Sequence, residues 1–133
     1  MHCIYCKGPT SVTNSRKQRG GQSIWRRRLC GKCGATFTTI ESTDLASSLM
    51  VETKKGELLP FSRDILFFSI ATSCGHRKNA ISEAAALADT VITKLLAQEQ
   101  AIITTGSLIS TTQDTLQHFD AVAATYYKAY FGD

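Results

Sequence analysis

Two pairs of cysteines carry the most distinctive chemistry in this chain. Cys3-x-x-Cys6 and Cys30-x-x-Cys33 are two knuckles separated by 23 residues. Zinc takes four soft or borderline ligands in a tetrahedron, with sulfur at roughly 2.3 Å, and a CxxC unit puts two thiolates on one side of the ion with a tight turn between them. Gly8 and Gly34, near the second cysteine of each knuckle, fit such turns. The gap exceeds the roughly 15–20 residues usual for this pattern, and a hairpin turning at Gly20-Gly21 absorbs the difference. A redox dithiol is the rival chemistry, but a thioredoxin-like CxxC is single and sits at the strand-to-helix junction of a βαβ unit, a pattern the sequence does not carry. Four thiolates leave no coordination position open for a substrate, so one structural zinc ion per chain is expected. His2, beside Cys3, is then left for solvent or for a supporting contact. Cys74 stands alone on an apolar helical face and reads as a small buried hydrophobe.

The second chemical feature lies between the knuckles. Arg16-Lys17-Gln18-Arg19 and Trp25-Arg26-Arg27-Arg28 fold into a small volume if the ribbon turns at Gly20-Gly21. On a strand, Arg26 and Arg28 face one side while Trp25 and Arg27 face the other. A guanidinium forks onto phosphate or onto the O6/N7 edge of guanine. Trp25 can stack on a base or sugar, or shield the apolar side of the ribbon. A solvated charged face is the alternative, but three consecutive arginines with one acid in the segment to pair with point to nucleic acid. Arg16, Lys17, Arg19, Trp25, Arg26, Arg27 and Arg28 are the candidate contacts.

Charge is divided unevenly along the 133 residues. Residues 1–41 hold eight basic residues and one acid, a net +7, whereas residues 42–133 hold seven basic and ten acidic residues, a net −3. Such asymmetry suggests two parts with different partners, the first anionic. The first part is also too short to bury a sufficient core, so metal binding is expected to supply most of its folding free energy, on the order of 10–16 kcal/mol by analogy with zinc peptides.

The elements that must position these groups follow from local pattern. Residues 1–41 show no helical apolar periodicity and read as short strands and turns, with a strand at 23–29. A Ser/Thr-rich linker is expected at 42–48, then a hairpin of 49–53 and 57–60 with Lys54-Lys55-Gly56 at its turn. Phe61-Ser62 supplies a hydrophobic staple and an N-cap for a helix over 63–74, with Ile65, Leu66, Phe68, Ile70 and Cys74 near helical spacing. Ser82 is expected to cap a second helix through about residue 98. A third begins near Thr105 with Leu108, Ile109, Thr112, Leu116 and Phe119 inward. Asp120 can cap a fourth, where Val122, Ala123, Tyr126, Tyr127 and Tyr130 form either core or an interface. The fold class expected is therefore α+β, a small four-cysteine zinc ribbon at 1–41 followed by a hairpin plus about four helices at 49–133.

Several classes are excluded. At 43% hydrophobic and 20% charged residues the chain is neither disordered nor fibrous. It has no apolar run near the roughly 20 residues of a membrane span and no secretory pattern, which implies no membrane partner and a cytoplasmic location. Cysteine pairs in that reducing setting favour metal over disulfides. No GxxxxGK[ST] run, no nucleophile–His–acid constellation and no acid cluster suggests catalysis, so no enzyme is expected.

The first 41 residues resemble the zinc ribbon of the NrdR family, bacterial transcriptional repressors of ribonucleotide reductase genes. The resemblance runs through Met1-His2-Cys3-x-x-Cys6, then Asn14-Ser15-Arg16 where the family has Asp-Ser-Arg, then Ser23-Ile24-x-Arg26-Arg27-Arg28-x-Cys30-x-x-Cys33 and Gly34-x-x-Phe37-Thr38-Thr39-x-Glu41. It implies a second part of the ATP-cone type, a hairpin plus helices that binds ATP or dATP and sets oligomeric state and hence DNA affinity. The family's Val-Val-Lys-Arg-x-Gly and Glu-Pro-Phe correspond to Val51-Glu52-Thr53-Lys54-Lys55-Gly56 and Leu59-Pro60-Phe61, its Lys-Leu to Ile65-Leu66, and its Lys-Arg-Pro to His76-Arg77-Lys78. Lys54, Lys55, Arg77 and Lys78 are the implied nucleotide contacts. Where the family carries an arginine in a motif near the end of the chain, this chain has Tyr126. The resemblance thus implies a nucleotide-controlled repressor that self-associates on double-stranded operator DNA at the nucleoid. The charges missing at Thr53, Ile65 and Tyr126 support the alternative of a ribbon DNA binder or adaptor whose cone no longer takes nucleotide.

Overall fold

The computed structural model describes residues 1–132 and divides the chain into two compact units, Met1–Asp44 and Leu45–Asp133. The fold is α+β. In the first unit, β1 (Thr10–Gln18), β2 (Ser23–Cys30) and β3 (Thr36–Ser42) form an antiparallel sheet in the order β1-β2-β3. The chain reverses between β1 and β2 through a single 3-10 turn, Arg19–Gly21, at the Gly20-Gly21 pair expected to turn. Strand β1 is exposed almost throughout and carries no alternating apolar face, so its form is decided by pairing with β2, from Thr10 opposite Cys30 to Gln18 opposite Ser23. A bulge between Val12 and Asn14 interrupts that register, and the Thr13 hydroxyl donates to the Arg27 carbonyl at 3.2 Å. Apart from the cysteines, Phe37 is the one large buried side chain of this unit among the described residues.

In the second unit, a short helix α1 (Leu45–Ser48) precedes β4 (Met50–Glu52) and β5 (Leu58–Pro60). Ser42 closes β3 opposite Ser23, so the segment expected as a linker is ordered on both sides of residues 43–44. β4 and β5 form the expected hairpin, and β6 (Ile102–Thr104) adds a parallel third strand beside β4. Four longer helices follow the hairpin: α2 (Arg63–Ser73), α3 (Ala80–Leu96), α4 (Thr105–Phe119) and α5 (Ala121–Tyr130).

Caps fix three of these starts. The Ser62 hydroxyl accepts from the Ile65 N–H at 3.2 Å, Thr104 accepts from Ser107 at 3.0 Å, and Asp120 accepts from Ala123 at 3.0 Å. The expected Ser82 cap is corrected: α3 starts at Ala80 with its N-cap at Asn79, three residues earlier than expected, and the Ser82 hydroxyl donates instead to the Asn79 carbonyl at 3.1 Å. One core joins the sheet to the helices, built on Leu49, Phe61, Ile70, Val91, Leu95, Ile103, Leu116 and Tyr127, with Cys74 fully buried as expected. Burying each large side chain of this kind contributes about 1.5–3 kcal/mol.

The inward lists from periodicity need correction at several positions. On α2, Ile65 and Phe68 point outward while Leu66 and Ile70 are buried. On α5 the core takes Ala123, Ala124 and Tyr127, leaving Val122, Tyr126 and Tyr130 exposed at i, i+4 and i+8, the two tyrosine rings stacked at 4.4 Å. Phe119 is also exposed, with the Arg77 guanidinium 4.5 Å above its ring. Two apolar stripes, offset by one residue, were folded into a single pattern by the sequence; only packing chooses between them.

Candidate functional site

The four knuckle cysteines converge at the end of the ribbon sheet. Their Sγ atoms all lie within 4.8 Å of one another, with Cys3 and Cys33 at 3.8 Å and Cys6 and Cys30 at 3.5 Å. A disulfide needs about 2.05 Å, so these are free thiols. A sulfur tetrahedron with bonds near 2.3 Å has an edge of about 3.8 Å. The donor set therefore fits one zinc ion, and the residues that would hold it are Cys3, Cys6, Cys30 and Cys33. Four sulfurs would complete its shell and leave it a structural role.

Both knuckles share one backbone design. The Cys3 N–H donates to the Gly8 carbonyl at 2.9 Å and the Lys7 N–H to the Cys3 carbonyl at 3.0 Å; Cys30 and Ala35, then Gly34 and Cys30, repeat the pattern at 2.9 and 3.1 Å. In the second knuckle Gly34 takes the left-handed turn position at φ 72°, and in the first it is Lys7, at φ 61°, that does so. Gly8 serves a different end. A Cβ there would sit 2.8 Å from the Lys32 Cβ and 3.2 Å from the Cys6 Sγ, so its absence lets the two knuckles meet. The sequence assigned the turn to the wrong residue because the glycine lies one position beyond it.

Backbone donors polarise the cluster. The Cys33 N–H above all, with the Lys32 N–H and the Cys6 and Cys33 side chains, lowers the Cys30 pKa to about 6 against the effect of burial. Cys6 goes the other way: the Gly8 N–H lowers it, but burial and the sulfur contacts to Cys30, Cys33 and Cys3 prevail and push it up to about 12. Cys30 is thus the more readily ionised of the two, and the thiolate is the form that a metal cation takes. His2 lies in an isolated bridge with Pro9 and is exposed, outside the four-sulfur group.

The sheet then sorts the basic residues onto two faces. Cross-strand partners share a face. Arg16, Trp25 and Ile40 form one row, followed by Asn14, Arg27 and Thr38, then Leu29 and Thr36. The Arg16 guanidinium lies 5.7 Å from the Trp25 ring centroid, and Arg27 donates to the Thr36 and Thr38 hydroxyls at 2.8 and 3.3 Å. Lys17, Ile24 and Glu41 form the first row of the opposite face, then Ser15, Arg26 and Thr39, then Arg28 and Phe37. There Arg26 donates to Ser15 at 3.2 Å and pairs with Glu41 at 3.5 Å, while Arg28 donates to Thr39 at 3.1 Å. Arg19 sits in the hairpin turn at φ 50°, between strands rather than on a face. The alternation of Trp25 and Arg27 with Arg26 and Arg28 follows the expectation; which side chains from β1 and β3 join them was not legible.

The four residues implied for nucleotide lie in two places. Lys54 and Lys55 are exposed at the β4–β5 turn, and Lys78 is exposed before α3. Arg77 is committed within the fold. Its Nε and Nη2 donate to Glu83 at 2.6 and 3.0 Å and its Nη1 to Asp120 at 2.7 Å, where His76 Nε2 also lies at 3.0 Å. The Ala123 N–H first, then His76 and Arg77, hold the Asp120 carboxyl well below its ordinary range, and Arg77 lowers Glu83 in turn. That clasp links the turn after α2 to the starts of α3 and α5, and sequence reasoning missed it.

Among the described residues no helix is long and apolar enough to cross a membrane. Residues 1–41 match the family model described as "Transcriptional repressor NrdR-like, N-terminal domain". Relatives named transcriptional repressor NrdR align over nearly the whole chain. That of Roseiflexus sp. (strain RS-1) is 32% identical, covering 98% of this chain and 88% of its own. The Streptomyces clavuligerus protein is 36% identical over 98% of this chain and 76% of its own, and that of Bifidobacterium longum is 32% identical over 99% and 91%. With a four-sulfur knuckle pair on an arginine-bearing ribbon and similarity that continues through the helical unit, the chain belongs to the NrdR family of transcriptional repressors.

Proposed function

We propose that this protein is a zinc-dependent, DNA-binding transcriptional repressor acting at promoters of ribonucleotide reductase genes in the bacterial cytoplasm, at the nucleoid. The observation that carries the reading is the acid-poor ribbon: six cations, Arg16, Lys17, Arg19, Arg26, Arg27 and Arg28, on the β1–β2 hairpin against one sheet carboxylate, Glu41. Neutralising phosphates releases condensed counterions, which makes such a surface bind duplex DNA strongly at low salt. Zinc would hold the knuckles that anchor the strands. The relatives are named for repression, and no catalytic step is assigned to the chain.

One ribbon makes few phosphate contacts, so pairing of subunits would raise avidity. The exposed stripe of Val122, Tyr126 and Tyr130 on α5, and Ile65 and Phe68 on α2, the helix it packs against, supports self-association through the helical unit. Control by ATP or dATP would use Lys54, Lys55 and Lys78. A triphosphate needs several cations around it, and Arg77, held by Glu83 and Asp120, is already engaged. That engagement favours a second reading in which the repressor no longer senses nucleotide.

A mobility-shift assay on the ribonucleotide reductase promoters of the source genome, with and without ATP and dATP, tests both. A retarded complex that responds to nucleotide supports the first reading. A complex indifferent to millimolar nucleotide supports the second, and no complex under any condition rejects repression at these promoters.

A further inference from the structure

The two faces of the ribbon sheet have different surroundings, although each carries a net +2 from its strand residues. On the Phe37 face, one end is closed from within the unit: Phe37 is buried with Cys3 and Cys30, and the Tyr5 ring meets it edge-on at 6.5 Å. Further along the same face Glu41 pairs with Arg26 at 3.5 Å and places a negative charge beside it. A polyanion laid there would meet a carboxylate and the cysteine knuckles.

Among the paired strand residues of the Trp25 face there is no carboxylate. Arg16 and Arg27 occupy successive rows, with Trp25 and Ile40 side by side across β2 and β3 and Leu29 beyond. Ile40 is 61% exposed and lies opposite Trp25. Arg27 spends two of its five N–H donors on Thr36 and Thr38, which aims the guanidinium and leaves three for a partner. Cations flanking a small apolar centre match the chemistry of a nucleic-acid strand, whose phosphates are anionic and whose sugars and thymine methyls are apolar.

We propose that double-stranded DNA docks on the Trp25 face alone, with Arg16 and Arg27 on phosphates or base edges and Trp25 with Ile40 against sugars and bases, while Arg26 and Arg28 serve the ribbon's own cross-strand order. This rests on the reading of the chain as a duplex-DNA binder.

The test compares two double variants of the full, zinc-loaded chain, each losing two positive charges from one face. In a salt titration with promoter duplex, R16A/R27A is expected to flatten the slope of log K against log salt by roughly 1.8 and to weaken binding about tenfold at low salt. K17A/R28A, which lowers only the general field, should cost less than about threefold. Trp25 is the sole tryptophan, so acrylamide quenching of the unmodified protein reports on this face without any mutation, and DNA should shield it. Equal losses from the two double variants, or a Trp25 as open to quencher in the complex as in the free protein, would overturn the assignment. Preference for RNA over the duplex overturns it as well. If the unmodified chain binds no duplex at all, the DNA-binding reading fails first and takes the face assignment with it.

Discussion

Lys7 and Gly34 occupy the same place in the two cysteine knuckles, each in the left-handed region at φ 61° and 72°, and each donates its N–H to the carbonyl of the knuckle's first cysteine. Only one is the residue that conformation favours. A side chain there costs roughly 1–2 kcal/mol, so the first knuckle holds strain that the second lacks. Lys7→Gly is expected to slow zinc loss to a chromophoric chelator by up to about tenfold, and Gly34→Ala to speed it by a similar factor. Equal chelation rates for all three proteins would show that the turn geometry does not control metal retention.

Removing the metal should separate the two units. The ribbon has Phe37 and the cysteines as its buried apolar cluster, whereas the helical unit has a continuous core of its own. Zinc analysis should return one ion per chain. Chelation should then abolish the Trp25 fluorescence signature of the folded ribbon while far-ultraviolet helical ellipticity is retained. A ribbon that keeps its proteolytic resistance and Trp25 environment without zinc would contradict the metal's structural role.

How far the sequence reaches can be judged at particular residues. The cysteine cluster was legible because paired thiols have few other uses at that spacing, and α2 and α5 because Ser62 and Asp120 mark their starts. Strand β1 was not, since eight of its nine residues are exposed and its conformation comes from its neighbour. Strand β6 escaped because three residues, of which only Ile103 is buried, leave no period to read. Arg77 was implied as a nucleotide contact by the resemblance, and its pairing with Glu83 and the distant Asp120 left no signal in the sequence.

That Arg77–Asp120 contact also carries a pH dependence with a definite sign. Asp120 is depressed in the fold by the Ala123 N–H, His76 and Arg77, and Glu83 by Arg77. Groups so depressed stabilise the fold fully above their unfolded values of about 3.9 and 4.3, and the contribution is lost as pH falls through the lower folded values. Asp120→Asn keeps a capping oxygen and removes the charge. Its melting temperature should fall several degrees below that of the unmodified protein at pH 7, with the gap narrowing steadily below about pH 4. A gap that stays constant down to pH 3 would mean that the carboxylate's charge contributes nothing there.

Duplex binding by the zinc-loaded chain, followed by fluorescence anisotropy as salt is raised, bears most directly on the ribbon as a DNA-binding surface. Log K should fall linearly with log salt, with a slope of at least about −1.8 per subunit from Arg16 and Arg27, and binding should vanish on chelation. Affinity indifferent to salt, or unchanged after the zinc is removed, would contradict it.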